Sequence, residues 1–135
     1  MRIVLDTNVL VSGLLTPRGA PGRLVDLVLG GSVQLLVDDR ILEEYRDVLS
    51  RGRFGFSPGD VSRLLDFVAE TAEPVLAAPL VRRLPDAADE PFLEVALSGS
   101  ADALVTGNAR HFPAAAAGGV DVLSPAAFLV RVRRS

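Results

Sequence analysis

A chain of 135 residues is long enough to bury a substantial core, and we expect residues 1–135 to form a single domain. Hydrophobic residues make up 49% of the chain, which indicates a deeply buried sheet and a contact with another subunit, and the absence of cysteine excludes disulfides, zinc–thiolate sites and a cysteine nucleophile. A net charge of −3 excludes a global positive field that attracts nucleic acid, so local arginines or a metal would have to hold such a ligand.

The N-terminal apolar run does not have the pattern of a signal peptide. Asp6 and Asn8 interrupt the run, and no small-residue cleavage site follows in the expected setting. Every uninterrupted apolar segment is shorter than the length that spans a bilayer. We therefore expect a cytoplasmic protein that makes no membrane contact.

The predicted elements of the first half alternate between short apolar strands and helices. Asn8 is the predicted N-cap of the first helix, and Asp38 or Asp39 caps the third. In chain order we predict a strand at 3–5, a helix at 9–15, a loop at 16–22, a helix at 23–29, a strand at 33–37 and a helix at 39–50.

The second half continues the alternation. Ser57 is the predicted N-cap of its first helix, and Ser124 with Pro125 begins its last. The alternation indicates an α/β sandwich with a mostly parallel central sheet flanked by helices. The order is a basic loop at 51–56, a helix at 58–71, a strand at 74–76, a helix at 85–98, a strand at 103–106, a loop at 114–119, a strand at 120–123 and a helix to 132.

Polar residues lie at or just past the ends of three of the predicted strands. They are Asp6, Asp38 and Asn108. In open parallel sheets the ligand crevice lies outside the carboxyl ends of the strands, so their position favours a site at that edge. The alternative for Asp6 and Asp38 is a structural role as turn or capping residues.

Two more acids lie on or beside apolar helix faces. Glu44 falls at the edge of the apolar face of its helix, where it could also be a glutamate that reaches out to solvent beside the core. Asp89 projects to the same side as the buried face of its helix, where it could also be a first-turn acid favoured by the helix dipole. Glu90 and Glu94 are predicted to be solvated.

A divalent metal would explain these acids together. Carboxylates at core-facing positions cost several kcal/mol unless they are paired, and the sequence shows no obvious basic partner for Asp6, Glu44 and Asp89. Metal held by carboxylates usually serves phosphate chemistry. Asp102 is interpreted as a turn residue on the far side of the sheet, and His111 as a loop residue.

Four segments resemble the motifs of the PIN-domain family. They are LDTNVLVS at 5–12, ILEEYRDVL at 41–49, DAADEPFLEVA at 86–96 and ADALVTGN at 101–108. Each segment alone is weak evidence for the family, but the four occur in the family's order over nearly the whole chain. The chain is most similar to the VapC-like toxin components of bacterial toxin–antitoxin systems.

The resemblance implies a Rossmann-like three-layer sandwich and an endoribonuclease that cuts single-stranded RNA with Mg²⁺ or Mn²⁺. It implies that Asp6, Glu44 and Asp89 hold the metal and that Asn108 completes the catalytic set. Many family members have aspartate at the position of Asn108, so the number of metals, one or two, stays open. Hydroxyl and amide side chains are implied to support the acids: Thr7, Asn8, Ser12 and Thr106.

The implied partners are RNA, a cognate antitoxin protein and a second copy of the chain in a homodimer. Two other functions stay open: a non-catalytic PIN-like module that binds RNA or protein, and a housekeeping RNA-processing nuclease. A phosphotransferase with Asp6 as nucleophile is disfavoured because position 8 is asparagine, so the Asp-x-Asp signature of one such class is absent.

Overall fold

Within residues 1–134, which the computed structural model describes, five parallel strands form one central sheet. The strands are β1 (Arg2–Leu5), β2 (Gln34–Val37), β3 (Glu73–Pro74), β4 (Ala103–Val105) and β5 (Val122–Leu123). They lie in the order β3-β2-β1-β4-β5, and each neighbouring pair is parallel. The predicted α/β fold with a parallel sheet is therefore confirmed.

Helices connect the strands, and three single 3-10 turns supplement them, at Gly52–Phe54, Ala87–Asp89 and Ala109–His111. In the described part of the chain, no helix is long and apolar enough to span a membrane. The helices are α1 (Thr7–Leu15), α2 (Ala20–Leu29), α3 (Asp39–Leu49), α4 (Pro58–Thr71), α5 (Glu90–Ser98), α6 (Ala114–Ala117) and α7 (Pro125–Arg134).

Both faces of the sheet are covered. Ile3, Val4 and Leu5 are consecutive in β1, and all three are fully buried. Because successive side chains of a strand point to opposite faces, this pattern requires a layer of helices on each side. α5 packs on β1, β2 and β4, and α7 packs on β4 and β5. The central strand therefore lies in the middle of the core.

The order in which strands are added to the sheet switches from one side of β1 to the other. From β1 the strands proceed to β2 and β3 on one side, and after α5 the chain returns to place β4 and β5 on the other side. Such a switch point opens a crevice outside the carboxyl ends of the two strands concerned, here β1 and β4. Asp6 follows β1 directly and Thr106 follows β4, so both lie at this crevice.

The first helix begins earlier than predicted. α1 starts at Thr7 with Asp6 in the N-cap position, so the prediction that Asn8 is the N-cap is wrong. The reason is that the chain turns as soon as β1 ends, and the Val9 amide already donates to the Asp6 carbonyl at 3.0 Å. For the third helix the prediction of an Asp38 cap is confirmed, since its side chain accepts from the Ile41 amide at 3.0 Å.

α2 also begins earlier than predicted, at Ala20 instead of residue 23. Gly22 explains the difference. A Cβ atom there would lie 2.1 Å from the Pro17 carbonyl oxygen, so the absence of a side chain lets the helix start directly against the preceding turn. Pro and Gly in this segment therefore mark close packing as well as a loop.

Three boundaries of the second half differ from prediction. The predicted helix at 85–98 is divided, because Asp86 caps the 3-10 turn Ala87–Asp89 before α5 begins. Residues predicted as a loop form the short helix α6, which ends at Gly118 in the left-handed conformation (φ 59°). The edge strands have only two residues each: β3 begins one residue earlier than the predicted strand at 74–76, and β5 is the second half of the predicted strand at 120–123.

Candidate active site

Asp6 is the most buried acid at the crevice, with 7% of its surface exposed. Its amide donates to the Val105 carbonyl at 2.9 Å, which continues the pairing of β1 with β4. The Thr106 hydroxyl donates to the Asp6 Oδ2 atom at 2.7 Å, and the Asn108 amide donates to the Thr106 hydroxyl oxygen at 3.0 Å. The end of β4 therefore orients the carboxylate that follows β1.

Glu44 reaches the same region from α3. Its carboxylate accepts a hydrogen bond from the hydroxyl of Thr7, which is buried. Glu44 is half-buried and Glu43 is exposed, which agrees with the helical phase read from the sequence. α3 therefore presents one acid to the residue that follows Asp6.

Asp89 lies at the end of the 3-10 turn that precedes α5, with 13% of its side chain exposed. The Nδ1 atom of His111 is 3.0 Å from the Asp89 Oδ2 atom. Despite this distance, Oδ2 is buried and forms no geometrically acceptable hydrogen bond with any described residue. An unsatisfied buried carboxylate oxygen indicates a partner such as a cation or a water.

His111 is the site residue that sequence reasoning missed. Its ring lies between Asp89 and Asn108, since its Nε2 atom is 3.0 Å from the Asn108 side-chain nitrogen. The sequence offered one signal, namely that His111 comes three residues after Asn108 in the same turn. Its other neighbour, Asp89, is distant in sequence, so the contact was not visible.

The electrostatics of the acids reflect their removal from water. Burial raises the pKa of Asp6, although the Thr106 hydroxyl and the nearby Asn8 amide oppose this rise. Burial also raises the pKa of Asp89; His111 lowers it, while the charges of Asp6 and Asp86 raise it further. The metal-free fold therefore holds two carboxylates that repel each other at a poorly solvated edge.

The donor set fits a hard divalent cation. Asp6 and Asp89 supply oxygen ligands within electrostatic reach of each other, and the buried Asp89 Oδ2 atom lies beside the His111 ring, 3.0 Å from its Nδ1 atom. Within residues 1–134, however, no three acidic or histidine side chains converge into a ready-made cage. Glu44 is engaged with Thr7 and Asp89 lies against His111, so ion binding would draw these side chains together.

The other predicted supporting residues differ in their contacts. The Asn8 side-chain oxygen is 3.4 Å from the Gly107 amide, so it reaches the turn after β4. Ser12 is exposed one turn further along α1, and in the described residues its hydroxyl bonds to no other member of the set. Asp102 lies at the opposite edge of the sheet, where its carboxylate accepts from the Arg2 amide at 2.8 Å, in agreement with its interpretation as a turn residue.

The prediction that Glu90 and Glu94 are solvated is wrong, since both are buried. Glu90 accepts from the Arg83 guanidinium at 2.9 Å and from the Leu84 amide at 3.0 Å. Glu94 accepts from Arg40 at 2.7 Å and from the backbone amide of residue 80 at 2.9 Å. The segment at 77–84 runs over this side of α5, and the two glutamates satisfy its amides. These acids hold structure together and lie outside the candidate site.

These features define a class of protein: a parallel α/β domain with an acidic crevice at its topological switch point. The sequence profile of the PIN domain matches residues 2–110, and the chain belongs to this family. A stretch of 44 residues is 36% identical to the uncharacterized protein MJ1680 of Methanocaldococcus jannaschii. That stretch covers 33% of this chain and 28% of the relative, so the chain matches less than a third of that protein's length.

Two solved structures have the same fold. The structure of FitAB bound to an IR36 DNA fragment superposes with a TM-score of 0.61 and 20% identity, over 91% of this chain and 94% of that chain. The crystal structure of FitAcB from Neisseria gonorrhoeae superposes with a TM-score of 0.57 and 22% identity, over 91% of this chain and 97% of that chain. Both likenesses agree with the predicted Rossmann-like sandwich.

Proposed function

We propose that the chain is a cytoplasmic, Mg²⁺- or Mn²⁺-dependent endoribonuclease for single-stranded RNA and the toxin of a toxin–antitoxin pair. The observation that carries the proposal is the pair of desolvated acids, Asp6 and Asp89, at the switch point of a PIN domain. PIN domains are generally nucleases, and burying two like charges without a cation is costly. The acids and the family thus support the same chemistry.

The roles of the residues follow from their contacts. Asp6 and Asp89 would hold the ion, and Thr106 keeps the Asp6 carboxylate turned toward the crevice. Glu44, steadied by Thr7, would bind the ion or orient a water. A bound Mg²⁺ or Mn²⁺ supplies a water of lowered pKa and offsets charge on the scissile phosphate. Asn108 adds an uncharged amide and no fourth negative charge.

Metal binding and cleavage are tested together. Calorimetry with Mg²⁺ and Mn²⁺ on the wild type should show binding that the double variant Asp6→Asn, Asp89→Asn loses. Labelled single-stranded RNA should be cut only with a divalent ion, and not by Asp6→Asn or Asp89→Asn. Asp102→Asn is the matched control, because this acid lies at the opposite edge of the sheet, and it should cut RNA like the wild type.

Two outcomes would contradict the proposal. Equal divalent binding by the wild type and the double variant would overturn the assignment of the site. A wild-type protein that binds RNA but leaves it intact across both metal titrations would favour the non-catalytic module that binds RNA or protein.

The toxin role implies a protein partner. Membership of the PIN-domain family and the resemblance of the motifs to toxin components support an antitoxin as that partner. Inducible expression of the chain alone should arrest growth, and Asp6→Ala should remove the arrest. If a small open reading frame adjoins the gene, its co-expression should restore growth. Normal growth at verified high levels of active enzyme would leave the housekeeping nuclease as the function.

The homodimer is a separate proposal. Large apolar side chains remain exposed at the ends of α1 and α2, namely Leu15 and Leu29, together with Val130 on α7. Such side chains are readily covered by a second copy of the chain. Light scattering on the purified protein should give twice the monomer mass, and a monomer at micromolar concentration would contradict the proposal.

A further inference from the structure

Two adjacent side chains of α3 contact the residues on both sides of Asp6, one through a backbone carbonyl and one through a side chain. Tyr45 is fully buried, and its hydroxyl donates to the Leu5 carbonyl at 2.5 Å. Glu44 accepts from the Thr7 hydroxyl. Leu5 and Thr7 are the residues immediately before and after Asp6, so one turn of α3 contacts the whole segment that carries the most buried acid of the candidate site.

The peptide group between Leu5 and Asp6 is restrained at both of its polar atoms. Its carbonyl accepts from Tyr45, and its amide donates to the Val105 carbonyl at 2.9 Å. The plane of a peptide group is rigid, so two bonds at opposite ends fix its orientation. That plane fixes the N–Cα axis of Asp6, and the φ angle of −64° about this axis then sets the direction of the Cα–Cβ bond.

We propose that Tyr45 is a positioning residue for the Asp6 carboxylate, acting through the Leu5–Asp6 peptide group. The inference rests on the proposed function, because it gives Asp6 its task as a metal ligand. A tyrosine suits this role, since a packed ring has few rotatable bonds and places its hydroxyl accurately. Metal sites tolerate only small errors in ligand position, and partners that orient the ligands typically contribute 10–100-fold to affinity.

A purely structural role predicts a different result on substitution. If Tyr45 only filled the core, phenylalanine would keep the ring and the packing, and metal binding would be unchanged. If Tyr45 positions Asp6, phenylalanine keeps the fold but releases the Leu5 carbonyl. Ion affinity and turnover then fall, while the Michaelis constant for RNA stays the same because Tyr45 is fully buried and out of reach of a bound RNA.

The test compares Tyr45→Phe with the wild type in Mn²⁺ calorimetry, thermal unfolding, and steady-state cleavage of single-stranded RNA. We expect cooperative unfolding, about tenfold weaker Mn²⁺ binding and about tenfold lower kcat with unchanged KM. Thr71→Val is the matched control, because the Thr71 hydroxyl also donates to a backbone carbonyl, that of Phe67 at 2.7 Å, but in α4. This control should leave both quantities unchanged. Replacement of Tyr45 by 4-aminophenylalanine, which retains a donor, should restore Mn²⁺ affinity to within threefold of wild type.

A second measurement avoids any loss of folding. The chain contains one tyrosine, so growth on 3-fluorotyrosine places a ¹⁹F nucleus at Tyr45 alone and keeps the hydroxyl. The ¹⁹F resonance should shift during Mg²⁺ titration and saturate with the calorimetric Kd, and it should stay fixed in Asp6→Asn.

The outcomes separate the two proposals. A wild type that binds no divalent ion overturns the proposed function. A wild type that binds Mn²⁺, with Tyr45→Phe equal to it in affinity and within twofold in kcat, overturns the role of Tyr45. A ¹⁹F resonance that does not respond to Mg²⁺ at saturating concentration overturns it as well.

Discussion

Replacing Asp6 with asparagine should make the metal-free protein more stable at neutral pH. Burial raises the pKa of this carboxyl in the folded state, so its ionisation is harder there than in the unfolded chain. Such a group stabilises the fold fully below its unfolded pKa, and this contribution is lost as the pH rises through the folded pKa. Asparagine is uncharged at every pH, so it has no such loss of stability at neutral pH. Its side-chain oxygen can still accept a hydrogen bond from the Thr106 hydroxyl.

The size of the effect is that of removing one unpaired buried charge. Substitutions of this kind typically change stability by on the order of 1–2 kcal/mol, so we expect Asp6→Asn to raise the free energy of unfolding by about that amount at pH 7.5. The gain should shrink as the pH falls and vanish well below the unfolded pKa of about 3.9, where the carboxyl is protonated in both states. A divalent ion at a hundred times its Kd should add about 2.7 kcal/mol to the wild type. The variant should gain much less, so the order of stability reverses with metal.

Urea unfolding followed by circular dichroism checks this prediction at pH 7.5 and pH 4, with EDTA and with Mg²⁺. Asp102→Asn is the control, since Asp102 is an exposed acid and its partner is the Arg2 amide. It should not stabilise the protein at pH 7.5. The reasoning is refuted if Asp6→Asn is less stable than the wild type in EDTA at pH 7.5, or if its gain is the same at pH 4.

Two further substitutions test the packing described above, each by the shift in the urea midpoint. Gly22→Ala should destabilise the protein by about 2–3 kcal/mol, because the new methyl group would lie 2.1 Å from the Pro17 carbonyl oxygen. Gly52→Ala is the control and should change the stability little, because a methyl group there would enter open space. Glu94→Ala should cost about 1–3 kcal/mol, because it leaves the amide of residue 80 without its acceptor and removes one of the two carboxylates that bind Arg40. Glu43→Ala on the exposed side of α3 should be near neutral. Equal midpoints within either pair would contradict the corresponding packing argument.

The strands of the core were predictable because their signal is local. The runs around Ile3, Leu35 and Leu104 are apolar without interruption, which is the pattern of strands buried on both faces, and each forms a central strand of the sheet. The edge strands have no such signal. β3 is the dipeptide Glu73–Pro74, and only its pairing with Leu36 and Val37 defines it as a strand.

Helical phase explains both a success and a failure in the candidate site. It placed Glu44 at the border of the core and Glu43 in solvent, as the structure has them. It also predicted that Glu94 faces away from the sheet and into solvent, but helical phase does not reveal that another segment covers that side of α5. His111 was missed for the same reason, because Asp89 approaches it through tertiary folding. Residues whose partners are remote in sequence are the ones that local patterns misjudge.

β1 is the first of the five strands to be synthesised, yet it lies at the centre of the sheet. The hydrogen bond from Thr106 to Asp6 joins residues 100 positions apart, and this non-local contact forms only after the chain between them has been closed into a loop. An unfinished chain that ends before β4 therefore exposes one edge of β1 and lacks the hydroxyl that orients Asp6. The folded core and the acidic crevice are completed by the same late step, so a growing chain acquires a complete crevice only when it acquires a complete fold.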